Sequence, residues 1–175
     1  SAADIVYVGE QHNLASHHAV QLEVLKSLAA AKPGLVVGLE MIDVTQQAAL
    51  DDYLAGRTGD ESFAKFWKKA WVFSFDLYRP LLEYARAHAI AVRGLNAPRA
   101  IVSQVARGGL SSLTPEQRKI IPAKIHPITE PRYLAYVKET LREHGPMSPE
   151  QEARMLEAMS VWNETMGQSL TSLSG

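Results

Sequence analysis

Three times before residue 100, a short apolar run meets a glycine and then a polar side chain: VYVGEQH, LVVGLEM and AVRGLNAPR. Ile5–Val8 and Leu35–Leu39 read as buried strands of the kind found in parallel sheets, with Ala89–Val92 as a weaker third. Between the first two, SHHAVQLEVLKSLAAAKPG places Leu22, Leu25, Leu28 and Ala29 at helical spacing. Ser16 is positioned as its N-cap and Pro33-Gly34 as its stop. Strand, helix, strand is a right-handed crossover unit. The fold expected is therefore α/β, a parallel-type sheet with an inserted, largely helical region.

After Glu40 the spacing becomes helical. TQQAALDDYLAG closes on Gly56, an aromatic-rich segment DESFAKFWKKAWVFSF follows, and YRPLLEYARAHA leads into the third strand. APRAIVSQVARGG carries Pro98 near its first turn and glycines at its end, the usual asymmetry of a helix. From Leu113 the chain reads as all helix, with Thr114, Thr129 or Glu130, and Ser148 placed as caps. The organisation expected is one α/β domain over residues 1–175, with a helical subdomain over roughly residues 113–175. Three strands are few for such a sheet. With the small polar tail MGQSLTSLSG, this points to a domain completed beyond Gly175, and Ser1 in place of Met is consistent with a removed signal or anchor segment.

Composition removes several function classes. A net charge of −1 with both signs scattered gives no basic field for nucleic acid or an anionic membrane. Without cysteine there is no disulfide, thiolate nucleophile or Cys-ligated metal. No apolar run approaches the ~20 residues that span a bilayer. The chain also lacks G-x-G-x-x-G after its first strand, a Walker sequence, a G-x-S-x-G elbow and H-E-x-x-H.

In open parallel sheets ligands bind beyond the carboxyl ends of the strands. Glu10 and His12, Glu40, and Asn96 with Arg99 are therefore expected to converge, the glycines allowing close backbone approach. On extended backbone Glu10 and His12 share a face. His17 and His18 fall in the first turn of the next helix, whose positive end favours neutral imidazole. Two carboxylates with imidazoles suit a divalent transition metal at Glu10, His12 and Glu40, or a general base with an orienting acid. Structural readings stand beside these: Glu10 or Asn96 as a helix cap, Arg99 as a solvated residue or a clamp for a carboxylate. Phe63, Phe66, Trp67, Trp71, Phe73, Phe75 and Tyr78 read as core packing ahead of a ligand pocket, and His88, His126 and His144 as surface residues.

The segments VYVGEQHNLASHHAVQLEVL, VVGLEM, PLLEYARAHAIAVRGLNAPRAIVSQVARGGLSSL and, more loosely, EARMLEAMSVWNETM resemble the ChaN-like haem-binding uptake proteins of the Tiki superfamily. The resemblance implies a bacterial cell-envelope protein, often lipid-anchored, that binds haem in iron acquisition. It also implies haem held between two subunits of a homodimer with a tyrosine on the iron. Tyr133 and Tyr136, three apart on one helix face, are the candidates here, with His17, His18, Asn96 and Arg99 as further haem contacts. Any membrane attachment would come through a lipid anchor not present in this chain, and a C-terminal remainder of the same protein is a further expected partner. The same superfamily holds Tiki metalloproteases and erythromycin-esterase-like hydrolases. By that likeness Glu10, His12 and Glu40 would be the catalytic groups of a metal-dependent hydrolase, the alternative reading. The G-x-x-H element those enzymes carry does not follow Asn96 here.

Overall fold

The structure is a computed structural model that describes residues 3–143 and 145–173. His144 lies outside the described residues. The chain divides into two compact units. The first takes the residues up to Ile42, Gln46–Gly94 and Leu173; the second takes Asp43–Thr45 and Leu95–Ser172.

In the first unit, helix α1 (Ala15–Ala31) is followed by strand β1 (Val36–Asp43). Helices α2 (Gln47–Leu54), α3 (Asp60–Ala70) and α4 (Phe75–Ala87) come next, and strand β2 (Ala91–Asn96), whose last two residues fall in the second unit, closes the series. β1 and β2 pair in parallel as a two-stranded sheet. The Gln47 side chain lies along β2: its Nε2–H donates to the Val92 carbonyl at 3.0 Å, and its Oε1 accepts the Gly94 N–H at 2.9 Å. An amide side chain thus satisfies strand groups that would otherwise seek another strand.

The expectation of a third strand at Ile5–Val8 is corrected. That run pairs with no strand among the described residues and leaves Ile5 38%, Val6 50%, Tyr7 78% and Val8 37% exposed. Its Val8 carbonyl instead accepts the Gln21 side-chain N–H at 3.2 Å. Apolar sequence supplies a reason to be buried, but a ladder needs a partner backbone. Ser16 is also not the cap of α1, which begins at Ala15 after Leu14 with no side-chain cap.

α3 has Asp60 and Glu61 in its first turn and Lys68 and Lys69 in its last, matching the helix dipole at both ends. Phe63 and Trp67, four apart, turn one face of α3 inward. α4 starts where the Ser74 side chain accepts the Asp76 N–H, and it buries Tyr78, Leu82 and Ala85. The core of this unit joins Leu39, Ile42, Leu50, Tyr53, Phe63, Trp67, Leu82 and Val92.

The second unit is helical: α5 (Arg99–Gly108), α6 (Pro115–Arg118), α7 (Pro131–Arg142) and α8 (Pro149–Thr171). α6 and α8 open on full capping boxes, Thr114 with Gln117 and Ser148 with Gln151, and Glu130 caps α7. After α5 the chain turns at Gly109, whose φ of 75° suits glycine and costs other residues. α5 packs on α8 around Ile101, Val105, Ala158 and Val161. Among the described residues, no helix is long and apolar enough to cross a membrane.

Candidate functional site

The most concentrated polar cluster lies in the first unit and is built on Glu10. Its carboxylate is 5% exposed, a costly position unless every oxygen is satisfied. His12 Nδ1 lies 2.7 Å from Oε1, and the Tyr78 hydroxyl donates to the same oxygen at 2.5 Å. Trp71 Nε1–H donates to the Tyr78 oxygen at 3.2 Å, so the phenol both gives and receives. His18 Nδ1 stands 3.3 Å from Oε2, in ion-pair range without an aligned hydrogen bond. Its Nε2 lies 3.1 Å from the His12 carbonyl, which can only accept, so Nε2 carries the hydrogen.

One face of α1 grips this turn. Gln21 lies four residues after His17 and three after His18, and each of the three reaches back to the preceding segment. His17 Nδ1 accepts the Gln11 N–H at 2.9 Å, which fixes that nitrogen as unprotonated. Gln21 reaches Val8, and His18 reaches both Glu10 and His12. Aromatic rings wall the remainder: His12 packs on Trp71 and Phe73 with centroids 5.0 Å away in each case, and His18 on Tyr78 at 4.5 Å. The rest of the aromatic set, Phe63, Trp67 and Phe75, is core.

Burial alone would raise the Glu10 carboxyl. Hydrogen bonds from His12 and Tyr78, the nearby Gln21 amide and the charge of His18 outweigh it and hold the group below its ordinary range. Tyr78 moves the other way: burial first, then its bond to Glu10 and the charges of Glu10 and Glu40 push the phenol far up, against the opposing Trp71 bond. The pair therefore stands as carboxylate and phenol. His12, with Nδ1–H on the carboxylate, keeps a lone pair on Nε2 and a side chain 32% exposed.

Glu40 does not follow the strand end; it sits half-buried inside β1, and its charge acts on Tyr78. Asn96 and Arg99 belong to the second unit. Asn96 is the last residue of β2, and its Oδ1 accepts the Ala97 N–H, while Pro98 occupies the N-cap position of α5 and Arg99 is exposed at its start. Tyr133 and Tyr136 are 37% and 65% exposed on α7. Gly9 has open space where a Cβ would sit, so close approach does not explain it.

The expected metal set of Glu10, His12 and Glu40 is not supported. Among the described residues, no group of three or more acids and histidines is arranged to hold a metal ion. The physical reason lies in the cluster: Glu10 Oε1 serves His12 and Tyr78, and His12 turns Nδ1 to that oxygen. Sequence reasoning took Tyr78 as core packing and missed its bond to Glu10, and it missed Gln21. Gln21 falls four residues after His17 on the same helix face, a usable signal. Tyr78 is 68 residues from Glu10 and carries none.

No curated protein matches this chain in sequence. A solved structure of cofacial heme binding to ChaN of Campylobacter jejuni matches it with a TM-score of 0.62 at 16% identity, a likeness of fold. The match covers 95% of this chain and 63% of that one, so this chain spans less than two thirds of that protein's length. The sequence profile described as haem-binding uptake, Tiki superfamily, ChaN matches residues 1–174, and the chain therefore belongs to that family.

Proposed function

We propose that this protein binds haem in iron uptake. The observation that carries the reading is the family match across residues 1–174. The fold likeness to a ChaN that binds cofacial haem supports it. The donor chemistry on the second unit suits the group. Tyr133 and Tyr136 present phenol oxygens on an exposed helix face, a ligand type that iron accepts, and the exposed guanidinium of Arg99 suits a propionate. Bound haem would supply the iron centre; the chain would supply its ligands and its surroundings.

Haemin titrated into the purified chain should give a saturable Soret band, and Tyr133→Phe or Tyr136→Phe should change it. A flat titration overturns the proposal. Haem held between two subunits would make dimerisation depend on haemin, which light scattering with and without haemin reads directly. The envelope location rests on the family resemblance alone, and fractionation of expressing bacteria tests it. The cluster around Glu10 serves in this reading as the brace of the first unit, because its members are mutually bonded.

A further inference from the structure

Accepting the haem-binding reading above, we propose that haem enters the seam between α7 and α8, and that side chains of α8 hold the seam shut by occupying the groups haem would use. Two polar pairs close it. The Tyr133 hydroxyl donates to Asn163 Oδ1 at 3.3 Å and accepts from Asn163 Nδ2 at 3.1 Å. Lys138 Nζ lies 2.8 Å from Glu152 Oε1. In each pair the α7 member is a group that haem can take: a phenol for the iron, an ammonium for a propionate. In each the α8 member keeps it occupied. Glu152 presents to Lys138 the carboxylate that a propionate would present.

Helical spacing sets what lies beside those pairs. Tyr133, Val137 and Leu141 follow one another at intervals of four on α7, and the last two are buried. On α8, Leu156 and Met159 fall between Glu152 and Asn163 on the same face, and both are half-buried. Parting the helices would uncover apolar lining next to the Tyr133 phenol, the surroundings that a macrocycle needs. Tyr136 is 65% exposed already, so iron on that phenol would need no opening.

α7 can part from α8 without dismantling its unit. The core that joins α5 to α8 runs through Ile101, Val105, Ala158 and Val161, and Val137 and Leu141 stand outside it. The ion pairs Lys138–Glu152 and His126–Glu164, which also tie this region to α8, reach solvent and are of the kind worth little to stability. Irregular backbone precedes α7 over residues 122–130, and Gly145, at a φ of 107°, follows it. A helix flanked in this way and lightly held is the kind of element that opens locally while its neighbours stay folded.

The test uses the absence of cysteine from the chain. Lys138→Cys with Glu152→Cys places two thiols across the seam, where a bis-methanethiosulfonate reagent bridges them and dithiothreitol releases them. The released form of the same variant is the control, and haemin association is followed by stopped-flow absorption. Bridging should slow association by on the order of tenfold or more, because only the open form binds, and reductant should restore it. Asn163→Ala, which frees the Tyr133 hydroxyl, should speed association by roughly fivefold, the equivalent of one neutral hydrogen bond. A merely structural Asn163 would leave that rate unchanged or lower it. Equal rates in the bridged and released forms, or an Asn163→Ala chain no faster than wild type, overturn the seam and leave haem binding standing. A flat wild-type titration overturns the haem reading and the seam with it.

Discussion

Glu10 and Glu164 each hold a histidine through one carboxylate oxygen, at 2.7 and 2.9 Å, in different surroundings. Glu10 is 5% exposed and shares its oxygens with His12, Tyr78 and His18. Glu164 is 32% exposed, and among the described residues its carboxylate hydrogen-bonds His126. Burial makes the first carboxylate a structural obligation, since each lost bond leaves a polar group stranded away from water. Exposure leaves the second pair replaceable by solvent. Similar chemistry yields a buried brace in one unit and an exposed surface pair in the other.

The sharpest way to break this comparison is to remove both carboxylates. Glu10→Ala should destabilise the protein by about 3 kcal/mol, because the Tyr78 hydroxyl and the His18 ring lose their partner, as urea unfolding would read. If Glu164→Ala costs as much, the contrast fails. The pH dependence follows from the same group. Its folded pKa lies below the ordinary value of 4.5, so its stabilisation is complete above that value and is lost as pH falls through the lowered folded value. Glu10→Gln should flatten that acid limb of the stability curve.

Tyr78→Phe should cost about 2 kcal/mol, since one bond to a buried carboxylate goes and Trp71 Nε1 loses its acceptor. Ser148→Ala, which opens the capping box of α8, should cost about 1 kcal/mol and give the second unit a reference value independent of either carboxylate. Glu164→Ala should change stability least, by less than about 0.5 kcal/mol, because the pair it breaks is exposed. A large loss from Glu10→Ala beside a small one from Glu164→Ala is the signature that separates the two settings.

Much of the helical architecture was legible because its signals are local. Thr114, Glu130 and Ser148 announce their helices through spacing and hydrogen-bonding chemistry alone, and the structure has all three as caps. The Phe63–Trp67 pair shows its buried face by the same local logic. β1 and β2 were legible as apolar runs, though they extend to Asp43 and Asn96, past the residues first assigned. Ile5–Val8 misled because the same apolar signal describes a strand and a run without a partner, and only pairing distinguishes them. The start of α1 misled because its caps are absent and tertiary bonds through His17, His18 and Gln21 replace them.

Sequence by itself determined the caps at Thr114, Glu130 and Ser148 and the inward face of α3, and its motifs pointed to the family, because capping, periodicity and short motifs act within a few residues. Only tertiary structure decided that Tyr78 would share the Glu10 carboxylate, that Gln47 would satisfy β2, and that His126 would meet Glu164 across 38 residues. Those bonds join segments distant along the chain, and no local preference encodes which distant partner a polar group will meet. Burial then fixes their worth, which is why the carboxylate at Glu10 constrains the fold while the exposed one at Glu164 constrains it little.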